Sequence, residues 1–147
     1  MAKRDLAELK IPASPAFIPV AKRVAATLGS QLGLSLMDLD ELTIALAQAC
    51  DSAIAASSEM GGKGELKLTY FATNRALVVD VDLIPGAERR VQSERRAQPP
   101  TRAQAEDTAE LQRLAYEMIR MFVDDFRPEV EPATGALRFR MVKYLAS

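Results

Sequence analysis

The sequence predicts a single α+β domain over residues 1–147. We expect a two-layer sandwich of a mostly antiparallel mixed sheet with about three helices on one face. Residues 38–58 have the spacing of one long amphipathic helix, and residues 65–83 contain two alternating segments around a short polar turn. The predicted elements follow in the order strand, helix, helix, strand, strand, loop, helix, strand, strand. A chain of 147 residues has the length of one domain.

The first strand is predicted over residues 6–12, at an edge of the sheet, because Pro12 cannot donate a hydrogen bond to a neighbouring strand. Residues 16–32 then predict a helix. Ser14 is expected to cap its start, and Gly33 is expected to end it.

The long helix is predicted over residues 38–58, with Ser35 or Asp38 as its cap. Its apolar side chains recur at spacings of three and four and form one face for packing on the sheet: Leu39, Leu42, Leu46, Ala49 and Ala53. Its polar side chains share another face, which points into a pocket or into water: Glu41, Gln48 and Ser52, with Asp51 at the edge.

A hairpin is predicted next. Residues 65–71 and 76–83 alternate between apolar and polar side chains, and Asn74 and Arg75 supply the polar turn between them.

A polar segment follows the hairpin at residues 87–107. It is rich in Arg, Gln and Glu and contains Pro99–Pro100. Because it has almost no large apolar side chain with which to pack, we expect a mobile lid over about residues 87–108.

The end of the chain predicts a helix over residues 110–126, a short strand over 126–130 and a last strand over 136–145. Apolar side chains at helical spacing form the stripe of this helix: Leu111, Leu114, Ala115, Met118, Phe122 and Val123.

Composition excludes several classes of protein. The net charge of −1 argues against direct nucleic-acid binding, and no apolar run approaches the roughly 20 residues that span a membrane. The absence of histidine excludes a histidine-based triad or zinc site, so we predict no metal ligand. The single cysteine, Cys50, and a first segment without a signal-peptide core lead us to expect a cytoplasmic protein.

The run LTIALAQACDSAI over residues 42–54 resembles the first nucleotide-binding box of the bacterial anti-sigma-factor serine kinases. The closing segments MFVDDF and GALRFRMVKYL resemble the last helix and strand of that family. The family belongs to the Bergerat-fold ATPase group, which also contains histidine kinases, gyrase and the ninety-kilodalton chaperones. The order of elements extends the resemblance over nearly the whole chain and implies a histidine-kinase-like ATPase fold.

The resemblance places Gln48 where the family has a Glu that polarises the attacking group, and Ser52 where it has an Asn that holds Mg²⁺. An amide has no site that accepts a proton near neutral pH, so no catalytic residue is predicted. The shorter Ser52 side chain would reach a metal only through water. The alternative interpretation is a hydrogen-bonding pair on a half-buried helix.

The family's second box is Asp-x-Gly-x-Gly, whose Asp binds adenine. Asp82 and Gly86 match its ends, and Ile84 replaces the first glycine. The third box, Gly-x-Gly, binds phosphates through bare backbone amides. Residues 113–115 match it without either glycine, and Arg113 could offer a positive charge instead. The alternative interpretation of Asp82 is an exposed aspartate at a strand end, and that of Arg113 is an exposed arginine on a helix.

These altered boxes lead to the hypothesis of an anti-sigma regulatory factor that acts in transcription regulation and stress response. We expect it to bind no nucleotide, or to bind ATP or ADP with Mg²⁺ only weakly. The resemblance implies a sigma factor and an anti-anti-sigma protein as partners, a homodimer, and partner contact through an arginine on the first long helix. Arg23 is the candidate, with Lys22 as the alternative. Rival hypotheses are an active ATP-dependent serine-protein kinase and a structural dimerisation or docking module.

Overall fold

The computed structural model describes residues 3–59, 61, 64–86, 101–131 and 133–145. A short 3-10 helix, Pro15–Phe17, precedes the first α-helix. The remaining elements are β1 (Arg4–Pro12), α1 (Ile18–Gln31), α2 (Leu36–Glu59), β2 (Glu65–Ala72), β3 (Ala76–Ile84), α3 (Arg102–Phe122), β4 (Asp125–Val130) and β5 (Leu137–Tyr144). The predicted α+β fold class and the predicted order of elements are confirmed.

The five strands form one sheet in the order β1, β2, β3, β5, β4. Each of the pairings within this described sheet is antiparallel. The predicted hairpin is β2 and β3, and β1 lies at an edge of the sheet, as its proline indicates.

The inner face of the sheet carries the helices. Alternate residues of β2, β3 and β5 supply large apolar side chains that join the buried face of α2 in one core. The most buried of them are Leu66, Leu68, Tyr70, Leu77, Val79, Val81, Phe139 and Met141. The outer face has a smaller cluster of Phe71, Ala76, Val78 and Val142, with ion pairs beside it.

The ends of α1 and α2 follow local chemistry. Gly33 adopts a φ of 89°, and the amide of Leu34 donates to the carbonyl of Gly29 at 3.0 Å, which ends α1 as predicted. The Ser35 hydroxyl accepts from the Asp38 amide at 3.1 Å, so Ser35 is the cap of α2. The Ser14 side chain makes no capping hydrogen bond, which corrects its predicted role.

Helix α3 begins earlier than predicted. Its first residue is Arg102, and Thr101 and Gln104 form a reciprocal capping box in which each side chain accepts from the other residue's amide. The predicted loop is therefore wrong for residues 101–108, which are capped helix. Residues 87–100, the rest of the predicted lid, lie outside the described residues.

The predicted apolar stripe of α3 is only partly buried. Leu111, Leu114 and Met118 are exposed, whereas Ala115 and Phe122 are half-buried and Val123 is buried. Outside the predicted stripe, Ile119 is fully buried and Tyr116 is half-buried. Because apolar residues occupy more than half of the circumference of α3, spacing alone did not decide which of them face the sheet. The helix also ends at Phe122 rather than near residue 126.

Among the residues that the structure describes, none of the helices combines the length and the hydrophobicity needed to cross a bilayer.

Candidate functional site

A cleft with a volume of about 420 Å³ lies between α2 and α3. Helix α2 forms one wall, helix α3 forms the other, and β5 forms the floor. The two helices pack antiparallel, since Lys143 contacts both Glu41 near the start of α2 and the Phe122 carbonyl at the end of α3, while the second half of α2 faces the middle of α3 across the cleft.

The α2 wall presents the polar face that the sequence predicts. Gln48 and Ser52, four residues apart, both line the cleft and are half-buried, and Asp51 lies at its exposed side. Ala55 and Ala56 continue the wall without bulk. Behind it, Leu42, Leu46, Ala49 and Ala53 are fully buried, so the opposite face of the same helix anchors these polar groups on the sheet.

The α3 wall is formed by Thr108, Leu111, Gln112, Ala115 and Tyr116, and the floor is formed by Leu137 and Phe139. The Gln112 amide donates to the Tyr116 hydroxyl at 2.7 Å. The Tyr116 ring meets the rings of Phe126 and Phe139 edge-on, with centroids 5.4 and 5.5 Å apart. This aromatic contact fixes α3 on the sheet and sets the width of the cleft at its middle.

The cleft can therefore bind a ligand through uncharged hydrogen-bonding groups above an apolar floor. Its only acidic lining group is Asp51, and no lysine or arginine among the described residues lines it. The described residues also contain no cluster of three or more acidic, cysteine or histidine side chains suited to a metal ion.

Asp82 does not join this cleft. Its neighbours Val81 and Leu83 point into the core, so strand alternation directs Asp82 to the outer face of the sheet. There its carboxylate accepts two hydrogen bonds from Arg138, at 2.6 and 3.3 Å. Asp82 therefore lies on the opposite face of the sheet from the helix that carries Gln48 and Ser52.

Gly86 also lies outside the lining of the cleft. The strand continues to Ile84, which pairs with Glu65 of β2, where the family box would place its first glycine. Because Ile84 is extended and β-branched, the chain stays paired with β2 at this point, so the turn differs from the family pattern.

Arg113 points away from the cleft. It is an exposed side chain that pairs with Glu110 of the same helix, whereas its neighbours Gln112 and Ala115 line the cleft. Its charge therefore lies outside the lining of the cleft.

The two candidate partner-binding residues lie on α1. Arg23 is exposed and Lys22 is half-buried. Phe17 and Val20 are exposed apolar side chains near them in sequence, with 38% and 44% of their surface accessible. This surface is separate from the lining of the cleft.

Sequence reasoning missed the α3 wall, above all Tyr116 and Gln112. The signal that could have found it is Thr101-x-x-Gln104, a capping-box pattern placed just after Pro99–Pro100. A helix that starts there brings Thr108 and Gln112 onto the face opposite Gln48.

No family model matches this chain. The chain is similar to the serine-protein kinase RsbW of Bacillus velezensis, with 29% identity over 66 residues, which is 45% of this chain and 41% of that relative. It is 28% identical to the serine-protein kinase RsbW of Bacillus pumilus over 79 residues, 52% of this chain and 49% of the relative. The corresponding protein of Bacillus subtilis is 24% identical over 66 residues. The matches thus span about half the length of these curated relatives or less, and they confirm, at low identity, the resemblance to the anti-sigma-factor serine kinases.

Proposed function

From the similarity to the serine-protein kinases RsbW, we propose that this chain is an anti-sigma regulatory protein that binds protein partners and in which nucleotide chemistry is weakened or lost. The partners would be a sigma factor, an anti-anti-sigma protein or both. A homodimer is part of the proposal.

One observation carries the proposal. Gln48 and Ser52, which the resemblance matches to the two positions that do the family's chemistry, both line the cleft between α2 and α3. A neutral amide cannot take a proton from a serine hydroxyl near pH 7. The scaffold is retained while its reactive groups are replaced, which favours a binding role for the fold.

The residues present do not fit ATP with Mg²⁺ as the family binds it. A magnesium ion prefers carboxylate and phosphate oxygens in near-octahedral geometry, and the matching position offers only the Ser52 hydroxyl. The Asp82 carboxylate is engaged by Arg138 on the other face of the sheet. Side chains on residues 113–115 replace the glycines, so we derive no phosphoryl-transfer step.

The α1 surface supports a protein partner. Exposed Phe17 and Val20 offer apolar contact area, and Arg23 offers a positive charge beside them. A guanidinium at a dehydrated interface makes charge-assisted hydrogen bonds that discriminate between partners.

The nucleotide test is calorimetric titration of the full chain with ATP and Mg²⁺. We expect a dissociation constant in the high micromolar range or above, which corresponds to on the order of −5 kcal/mol. In parallel, transfer of radiolabelled phosphate to serine-containing candidate proteins should be undetectable. Low-micromolar binding, or transfer that disappears in Gln48→Ala, would establish the rival hypothesis of an active serine-protein kinase.

The partner test uses a sigma factor and an anti-anti-sigma protein from the source cell, each titrated against the chain without ATP. Arg23→Glu should weaken a true complex by at least about tenfold, since loss of a buried charged contact costs about 2 kcal/mol. Arg75→Glu makes the same charge change in the exposed turn between β2 and β3 and is the matched control. Equal binding by wild type and Arg23→Glu at two salt concentrations would place the interface elsewhere.

A third outcome would favour the docking-module hypothesis. Analytical ultracentrifugation that finds a stable homodimer, with neither candidate partner bound at any concentration tested, assigns the fold to assembly instead.

A further inference from the structure

Exposed apolar side chains are concentrated on the two helices that form the cleft. Of the twelve large apolar side chains that the described part of the chain exposes, seven lie on α2 or α3. Leu111 lines the cleft, and Leu36 is the first residue of α2. The other five form what we call the α2–α3 outer face: Met37, Ile44, Leu114, Met118 and Met121. Each of the five is between 44% and 76% exposed.

Two of the five side chains, Ile44 and Met118, lie at the same height along the antiparallel helix pair. Lys143 of β5 donates to the Glu41 carboxylate at 3.0 Å and to the Phe122 carbonyl at 2.9 Å, which sets the first turns of α2 level with the last turn of α3. Ile44 is three residues beyond Glu41, and Met118 is four residues before Phe122. One turn in from this link, both helices therefore expose an apolar side chain at the same level.

The spacing on α3 supports one continuous stripe. Leu114, Met118 and Met121 follow one another at intervals of four and three residues, so they share a side of the helix. Ile119, which lies between them in sequence, points into the core. A contiguous apolar stripe of this kind on a soluble domain marks a binding surface, and methionine side chains adapt to the shape of a helical partner.

The charges beside this stripe are acidic. Asp40 and Asp51 on α2, and Asp107 and Glu117 on α3, are exposed, and none of the four has an ion-pair partner among the described residues. The nearby cations are engaged elsewhere. Arg113 pairs with Glu110, and the guanidinium of Arg120 lies 5.3 Å from the centre of the Phe126 ring.

We propose that the α2–α3 outer face binds an amphipathic helix whose apolar stripe is flanked by lysine or arginine, a surface distinct from the α1 site. A second copy of the chain is the poorer occupant, because a two-fold contact would bring the same unpaired carboxylates opposite one another. An anionic lipid surface would be repelled by those carboxylates as well.

The probe is a synthetic amphipathic peptide of about 18 residues, five helical turns, with a leucine stripe flanked by lysine and arginine. Its matched control has glutamate at every basic position. The full-length chain should bind the basic peptide with a micromolar dissociation constant and leave the acidic one unbound in fluorescence anisotropy. Equal binding of the two peptides overturns the proposal.

Charge-reversed variants locate the site. Asp40→Lys combined with Glu117→Lys should weaken binding of the basic peptide at least about tenfold. Glu8→Lys combined with Glu129→Lys changes the net charge equally on β1 and β4 and should keep the wild-type affinity. An equal loss of affinity in both double variants would mean that the peptide is attracted by the net charge of the protein rather than bound at one site, and would overturn the inference.

A second readout needs no variant. In protein labelled with ¹³C at its methionine methyl groups, the signals of Met37, Met118 and Met121 should shift on addition of the basic peptide. Met141, which is fully buried in β5, should not. Unmoved Met118 and Met121 signals overturn the proposal, as does preferential binding to vesicles of anionic lipid, or a homodimer that Met121→Lys disrupts. Whether the chain is an active kinase affects none of these results. They therefore test this inference separately from the proposed function.

Discussion

Burial changes the acid–base chemistry of two neighbouring core side chains, Cys50 on α2 and Tyr70 on β2. Removal from water, together with the negative charge of Asp51, raises the pKa of the Cys50 thiol to about 12. Burial likewise raises the pKa of Tyr70 above its usual range, with a smaller contribution from Cys50. The Tyr70 hydroxyl donates to the Ala21 carbonyl at 2.9 Å, which ties β2 to α1. The thiol is therefore a packing group and not a nucleophile at neutral pH.

The first prediction concerns stability at alkaline pH. The native chain keeps the Cys50 proton between pH 9.0 and about 12, while the unfolded chain releases it, so the free energy of unfolding should fall as pH rises through this window. Cys50→Ala should reduce that slope, although it also lowers stability at pH 7 by leaving a small cavity. Urea unfolding at several pH values measures both effects, and an unchanged slope in Cys50→Ala would contradict the assignment.

At the scale of elements, α3 depends on its first turn. Residues 101–114 are exposed, so this half of the helix gains little from packing and relies on its cap and on surface pairs such as Arg102 with Glu106. Since Thr108, Leu111 and Gln112 lie in this half, the cap decides whether the cleft has its second wall.

We therefore predict that Thr101→Ala, which removes the acceptor for the Gln104 amide, costs about 1 kcal/mol and acts locally. Hydrogen exchange should become faster for the amides of residues 104–108, while the amide of Ile119 keeps its protection. Thr27→Ala, which removes a hydroxyl bonded within exposed α1, is the matched control. Uniform loss of protection along α3 would mean that the cap stabilises the whole fold instead.

At the scale of the whole molecule, one buried lysine joins three elements that are distant in sequence. Lys143 of β5 is 4% exposed and donates to Glu41 of α2 and to the Phe122 carbonyl at the end of α3, with Asp38 at 3.7 Å. An ammonium group so enclosed needs these acceptors, and the last carbonyls of a helix favour a positive charge.

Replacing this lysine tests the tie between the layers. Lys143→Met keeps the bulk but leaves the Glu41 carboxylate and the Phe122 carbonyl without their donor, and should cost about 2 kcal/mol of unfolding free energy. Lys67→Met removes a solvent-exposed pair with Glu8 and should cost less than about 0.5 kcal/mol. Denaturant unfolding followed by circular dichroism measures both, and equal costs would mean that the buried link adds nothing.

The sequence by itself determined the features that depend on local pattern. Alternation in β2, the apolar face of α2 and the turn at Gly33 follow from neighbours within a few residues, and each was predicted correctly. The same alternation also predicts the face on which Asp82 lies, because Val81 and Leu83 point into the core and direct it to the other side of the sheet.

Only the tertiary structure decided which side of α3 is buried and what faces Gln48 across the cleft. Both sides of α3 are apolar, so the choice came from the fit of Tyr116 against Phe126 and Phe139, which local sequence does not contain. The pairing of Lys143 with Glu41 likewise joins residues 102 apart. Contacts between residues so far apart in sequence depend on how the helices pack on the sheet, because the long chain between the two residues does not determine the distance between them.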